Sequence, residues 1–351
     1  MKGQKGEQNK LLTGGDSLMA YETEDQETQY CFPHINSSCV KGKRSKHEYS
    51  IMYVFFSLLS AWTVFLNLLV IISISHFKKL HTPTNMIILS LAVNDLFIGL
   101  AMPIEAIRLI EKCWYFGDTF CGLYILFVSL LLAASLGNLL LIAVDRYVAV
   151  CHPLLYPQKT TISKTLITIC LSWACLSAYV TAIVINNGYF DTSLRTDVCF
   201  GQCLVMISFS WILTDLFMSF IFPCTLIITL YLRIFYVVHQ QVKVINSLMK
   251  SGKCVTEGSV KRKSESKAAL TLGIIVSVYL LCWIPYYICS LTVNSSTVIN
   301  VLIFGVHTSS GLNPLVYALF YPWFKKTAKL ILTLKIFQPA SSLINIFTHE
   351  L

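Results

Sequence analysis

The chain has 351 residues, 55% hydrophobic and 13% charged, with a formal net charge of +9. A mean hydropathy of +0.64 is too apolar for a water-soluble domain of ordinary size, so the chain is predicted to be an all-α membrane protein. Its basic excess then reflects loops near anionic lipid and an acidic partner, and nucleic acid is excluded as a partner.

Residues 1–48 are polar and read as an outer tail without the continuous apolar core of a signal peptide, so the first span is expected to direct insertion. The tail holds the triplet Asn36-Ser37-Ser38, an acceptor for glycosylation, and a second triplet begins at Asn294 in a short outer loop. Seven apolar stretches of spanning length follow, near 50–76, 85–110, 118–150, 163–187, 204–238, 266–293 and 298–321. They predict a seven-helix bundle over 49–322, with residues 323–351 as an inner helix and tail. With the N-terminus outside, 17 of the 27 basic residues fall in four cytoplasmic segments, which outweigh the contrary run "KGKRSKH" at 41–47. Six of the thirteen cysteines then face the oxidising exterior, namely Cys31, Cys39, Cys113, Cys121, Cys199 and Cys203, enough for three bridges.

Within the second span, "LAVND" buries Asp95, and Asn67, Ser135, Ser309, Ser310 and Asn313 are embedded at similar depth. Such a cluster can hold a sodium ion or water, because hard cations take oxygen ligands; the other reading is polar glue between helices. Further out in the same span, after Pro103, stands Glu105, about 15 Å beyond Asp95 along the axis. It is either solvated at the interface against Arg108 or a cavity acid. The third span ends in "AVDRYVAVCHPL", placing Asp145 beside Arg146, which is either a snorkelling cation or part of a switch.

The fifth span, "SFSWILTDLFMSFIFP", carries Asp215 in its apolar middle. That costs roughly 2.5–3.5 kcal/mol on the insertion scale, so a partner or a ligand must offset it. Asp215 lies eight residues before Pro223, about 12 Å outward, and no intramembrane Lys or Arg is at hand to pair with it. Trp211 and Ser219, four residues either side, share its face and are expected to supply an aromatic wall and a hydroxyl. The alternative is a protonated or helix-bonded aspartate with a structural role only.

In the sixth span "LLCWIPYY" sets Trp283 two residues before Pro285, and in the seventh "GLNPLVYALFYPWF" sets Asn313 before Pro314 and Tyr317. Both prolines remove a helix hydrogen bond and permit kinks, which suits a bistable bundle better than a rigid pore. Beyond it, "YPWFKKTAKLILTLKIF" has the spacing of a short amphipathic helix on the membrane surface. The sequence shows neither internal repeats, which argues against the rival reading of a transporter, nor a converging nucleophile, base and oxyanion site, so no enzyme is expected.

Asn67, "LAVND", Cys121, "DRY", Trp173, Pro223, Tyr231, "CWIP" and "NPLVY" stand in the order and spacing of rhodopsin-like G-protein-coupled receptors over about residues 50–335. Within that class "HFKKLHTPTNMIILSLAVNDLFIGLAMP", "CWYFGDTFC", "KAALTLGIIVSVYLLCWIPYY" and "YALFYPWFKK" resemble trace amine-associated receptors, of a fish type. The resemblance implies a multi-pass plasma-membrane receptor for a small amine, coupled to a heterotrimeric and stimulatory-type G protein, with an olfactory role. It also implies bridges Cys121–Cys203, Cys31–Cys199 and Cys39–Cys113.

In the wider amine-receptor family a third-helix aspartate binds the ligand's ammonium. Seven residues on from Cys121 this chain has Val128, which can neither accept a hydrogen bond nor neutralise a cation. Asp215, at a similar depth across the pocket, is then the expected counter-ion. Glu105, if it also faces the cavity, would supply a second anion suited to a diamine or polyamine. Trp283, Tyr286, Tyr287, Phe304 and His307 are the expected remainder of the lining. On activation Arg146 is expected to leave Asp145 and Glu265, so that a G-protein helix docks against Arg146, Tyr231 and Tyr317. A receptor for a non-amine ligand is the alternative that Val128 leaves open.

Overall fold

The computed structural model describes residues 29–42, 44–186, 199–203, 209–250, 273–289, 296–339, 341–344 and 346. The predicted Glu265 and the triplet at Asn294 lie outside them. Helix α1 is Lys46–His76, α2 Pro83–Glu111, α3 Asp118–Cys151 and α4 Ile162–Asn186. The fifth, α5, is continuous but built from three pieces: Phe209–Asp215, a π-helical turn Leu216–Ile221, and Phe222–Lys250. Helix α6 is described over Gly273–Cys289, α7 is Ser296–Phe320 and α8 is Pro322–Leu332.

Local chemistry sets several of these ends. Ser45 and Glu48 form a reciprocal capping box at the start of α1, each side chain accepting from the other's backbone N–H. Thr82 caps α2 and Pro83 occupies its first turn, where a missing N–H costs nothing. The π-helical turn widens α5 immediately before Pro223, whose ring cannot donate to the preceding turn.

Large apolar side chains such as Phe55, Leu58, Leu100, Leu171, Leu232 and Leu281 are exposed, while Asn67, Asp95, Asn94, Thr63 and Ser310 are buried. That inversion of a soluble fold is what lipid demands, since hydrocarbon competes for apolar surface but satisfies no polar group. Helix α1 packs on α2, α2 on α3, and α3 on both α4 and α5, with α7 closing against α1 and α2. Gly311 permits the α1–α7 contact, because a Cβ there would stand 2.8 Å from Thr63 Oγ1 and 3.3 Å from the Trp62 ring. Helix α8 turns under the bundle with Trp323, Phe324 and Thr327 buried and Lys325 and Lys329 exposed, as its sequence spacing predicts.

At the outer end Cys121 joins Cys203, as expected, but the other two bridges are exchanged: Cys31 pairs with Cys113 and Cys39 with Cys199. The backbone gives the reason. The tail doubles back so that Cys31 N–H donates to the Cys39 carbonyl (2.9 Å), bringing both cysteines to one place. Reciprocal bonds from Cys39 N–H to the Phe200 carbonyl (3.0 Å) and from Phe200 N–H to the Ser37 carbonyl (2.8 Å) then lay residue 39, not residue 31, along Cys199. Phe32 stacks edge-on against Phe200, and Gly201, at φ +91°, gives its ring room.

Non-reducing peptide mapping is expected to recover Cys31 joined to Cys113 and Cys39 joined to Cys199, with no Cys31–Cys199 peptide. Gly311→Val is expected to cost about 1–3 kcal/mol by overpacking, read as a lowered thermal midpoint of the detergent-solubilised protein.

Candidate functional site

A cavity of about 350 Å³ opens between the helices, lined among others by Val128, Asp215, Ser219, Trp283, Tyr286 and His307. Its floor is aromatic: Tyr279 stacks on Trp283 (5.3 Å), Trp283 on Tyr287 (5.9 Å) and Tyr287 on Phe220 (4.2 Å). Tyr286 meets both Trp283 and Tyr287 edge-on. Proline spacing puts these side chains on one face, since Tyr279, Trp283, Tyr286 and Tyr287 recur at helical intervals of three and four.

Asp215 lies at the last α-helical residue before the π-helical turn. Its Oδ1 accepts from the Ser219 hydroxyl (2.6 Å) and from the Tyr179 hydroxyl of α4 (3.2 Å). Oδ2 makes no hydrogen bond to a described residue. No cationic side chain pairs with the carboxylate among the described residues, and it lines the cavity beside the apolar Val128 face of α3. Two hydroxyls orient the group without neutralising it, so an unmatched negative charge is presented to whatever fills the space.

Glu105 also lines the cavity, and is buried. Its carboxylate is already occupied. Arg108, one turn on, donates from Nε to Oε2 (3.1 Å) and from Nη2 to Oε1, and the Tyr124 hydroxyl donates to Oε2 (2.9 Å). Glu105 therefore lies on the cavity wall, and it meets Arg108 as a buried pair rather than as an acid solvated at the interface. His307 borders the same region; its Nδ1 contacts the Ile303 carbonyl at 2.9 Å, and because a carbonyl only accepts, Nδ1 carries the proton.

Two expected lining residues fall elsewhere. Phe304 turns to α1, packing against Phe56 (4.2 Å) and Phe55 (6.1 Å), while Ile303 lines the cavity in its place. Trp211 is half-buried and does not border the cavity, so the expected aromatic wall comes from the floor rings. Across the π-helical turn, by contrast, Ser219 keeps the expected face and its hydroxyl bonds the Asp215 carboxylate. Sequence reasoning missed Tyr179, Tyr124 and Tyr279; only Tyr279 had a signal, standing four residues before Trp283.

Deeper in, Asp95 is fully buried, with Asn313 Nδ2 donating to Oδ2 (2.7 Å) and Ser135 Oγ to Oδ1 (3.3 Å). Asn94 Nδ2 bridges to Ser135 (3.2 Å) and Asn67 Nδ2 to the Ser310 carbonyl (3.2 Å). Ser309 does not join this cluster, because its hydroxyl donates to the Val306 carbonyl of its own helix (2.7 Å). Asn67 Oδ1, Asn94 Oδ1 and Thr63 Oγ1 are buried oxygens without a hydrogen bond, so the cluster still has hard donor atoms to offer a cation.

At the inner end the Arg146 guanidinium holds Asp145 through Nε (3.0 Å) and Nη2 (2.6 Å) and also contacts Thr84 and Tyr156. Asp145 accepts in return from Thr84 (2.8 Å) and Tyr156 (2.8 Å). Burial and the neighbouring Asp145 raise the Tyr156 phenol above its ordinary range, so it remains a donor. This four-residue clamp joins α2, α3 and the inner loop; Glu265, expected beside it, lies outside the described residues. Tyr231 and Tyr317 are buried nearby, their hydroxyls without a hydrogen bond, and Pro314 sits inside α7 next to Asn313.

The family model described as 7 transmembrane receptor (rhodopsin family) matches residues 66–317. The chain is 40% identical over 333 residues to Trace amine-associated receptor 13c of Danio rerio, covering 92% of this chain and 97% of that protein. It is 38% identical to Trace amine-associated receptor 6 of Rattus norvegicus over 335 residues and to that of Homo sapiens over 336, covering 92% of this chain and 97% of each.

Removing the hydroxyls that orient Asp215 tests the geometry without removing the charge. Ser219→Ala and Tyr179→Phe are each expected to weaken amine potency by about 3- to 10-fold, as befits loss of one orienting hydrogen bond that does not itself touch the ligand, with surface expression unchanged.

Proposed function

The chain belongs to the trace amine-associated receptors of the rhodopsin family, and we propose that its ligand is an amine whose ammonium pairs with Asp215 on α5. It is a multi-pass plasma-membrane receptor and not an enzyme, and family membership sets aside the transporter reading. The observation that carries the proposal is the Asp215 carboxylate, paired with no cation among the described residues, on a cavity to which α3 contributes Val128 and neighbouring side chains but no acid. An ammonium there forms a charge-assisted pair in a largely apolar enclosure, offsetting the cost of burying the aspartate. The aromatic floor of Trp283, Tyr286 and Tyr287 favours the same cation through its ring faces.

The ligand acts by differential affinity. Binding that is tighter when α5 and α6 have repacked shifts the population toward that arrangement. The stack Phe220–Tyr287–Trp283 links the Asp215 helix to the kinked α6, so a shift at one is felt at the other. Release of Arg146 from Asp145, Thr84 and Tyr156 then exposes an inner cleft for a G protein, with Tyr231 and Tyr317 beside it. We assign a stimulatory-type G protein and a rise in cAMP on family grounds. A sodium ion at Asp95 belongs to the same proposal: Asp95, Ser135, Ser310 and the Asn67 and Asn94 oxygens would hold it, and Ser309 would not. The ion would supply a counter-charge to Asp95. Asn36, which is exposed, is the proposed glycan site.

Asp215→Ala is expected to abolish the cAMP response to amines with surface expression intact; a response preserved in that variant removes Asp215 from the site. Arg146→Ala is expected to keep amine binding in a radioligand assay while losing G-protein activation. Signalling preserved in the Arg146 variant counts against the clamp as the switch.

A further inference from the structure

Charge matching within the cavity decides what the far end of the ligand can be. Of the two carboxylates that line it, Glu105 is saturated by three donors, two from Arg108 and one from Tyr124. Arg108 itself lines the cavity with its side chain 23% exposed. A guanidinium has five N–H donors and Glu105 engages two of them, both on one edge, which leaves the Nη1 edge with donors to offer. Tyr286 lines the cavity together with Arg108, Glu105 and Asp215.

We propose that Arg108 is a built-in cation occupying the place of a second ligand ammonium, so that the receptor selects monoamines carrying an oxygen acceptor at the far end and rejects diamines. This inference rests on the amine-to-Asp215 reading above and specifies its ligand class. A monoamine matches the one unmatched carboxylate. The second ammonium of a diamine would meet Arg108 and find Glu105 already paired, and like charges brought together in a desolvated site cost several kcal/mol. A hydroxyl, carbonyl or ether oxygen in the same position accepts from the guanidinium and adds no charge. The two-anion arrangement expected from sequence is thereby converted into one anion and one donor.

The test compares three probes matched in length, hexylamine, aminohexanol and diaminohexane, together with their butyl and octyl homologues, by cAMP in cells expressing the wild type. Aminohexanol is expected to be more potent than hexylamine, and diaminohexane at least about tenfold weaker than aminohexanol. Arg108→Met frees Glu105 and is expected to reverse the diamine-to-amino-alcohol ranking. The double variant Glu105→Gln/Arg108→Met leaves no buried lone acid, so it guards against misfolding of the single variant, and it is expected to lose both preferences and favour the alkylamine. A wild type that responds to diamines as well as to amino alcohols, or a ranking unchanged by Arg108→Met at normal surface expression, overturns the inference while Asp215 dependence survives. Failure of every probe to give an Asp215-dependent response overturns the amine reading and this inference with it.

Discussion

The structure turns on one unmatched carboxylate. Among the described residues each buried acid has a close partner: Asp95 has Asn313 and Ser135, Glu105 has Arg108 and Tyr124, and Asp145 has Arg146, Thr84 and Tyr156. The half-buried Asp215 is oriented by two hydroxyls and offset there by no cation or amide. That asymmetry faces a cavity, and a cation entering it would complete the pairing the chain itself does not supply. On the proposed reading the ligand is a missing member of the charge network as much as a guest in a cavity.

Much of this was legible in the sequence because hydrocarbon imposes simple rules. Span lengths, the Lys and Arg bias, the Asp95 cluster with Asn313, and Asp215 facing a cavity across from Val128 all follow from depth along a helix, which residue counting measures well. Rotation about the axis is less well encoded. Phe304 and Trp211 are expected on the cavity by face, yet Ile303 meets the cavity in place of Phe304, and Trp211 does not border it. The disulfides failed for a different reason. Cys31 and Cys39 are brought together by the tail's own backbone bond, so which of them meets Cys199 depends on register with Phe200, and no periodicity carries that information. Tyr179 and Tyr124 lacked any signal, since a tyrosine on a spanning helix reads equally as packing.

The outer cap also fixes the cavity's dimensions. Cys203 borders the cavity and is bonded to Cys121 on α3, and two residues before it Gly201 accepts from Trp114 N–H (2.8 Å) beside the Cys31–Cys113 bridge. Glu111, at the end of α2, binds Lys41 of the tail (3.1 Å), Tyr53 of α1 (2.6 Å) and Tyr115 (2.6 Å). The outer ends of α1, α2 and α3 are thus held to one another and to the tail through covalent and ionic links. Helices α2 and α3 carry Glu105, Arg108 and Val128, so the pole of the cavity opposite Asp215 belongs to the braced part of the molecule.

That division suggests where ligand energy goes. Moving a two-state equilibrium from 1:99 to 99:1 takes about 5.5 kcal/mol of differential affinity, and only contacts that change between states contribute to it. On the proposed reading a far-end oxygen on Arg108 would meet a braced wall and mainly anchor the ligand in either state. The ammonium would meet Asp215 on α5, which carries a π-helical turn and stacks on α6 through Phe220 and Tyr287. Anchored at one end, the ligand would draw on the other, and the strain would pass from Phe220 and Tyr287 to Trp283 on the inner side of the α6 proline. At the inner end Arg146 is held by three partners, Asp145, Thr84 and Tyr156, which among the described residues lie on α2, α3 and the loop. In the proposed mechanism the resting state is kept by this clamp, and activation is a movement of α5 and α6 that releases it.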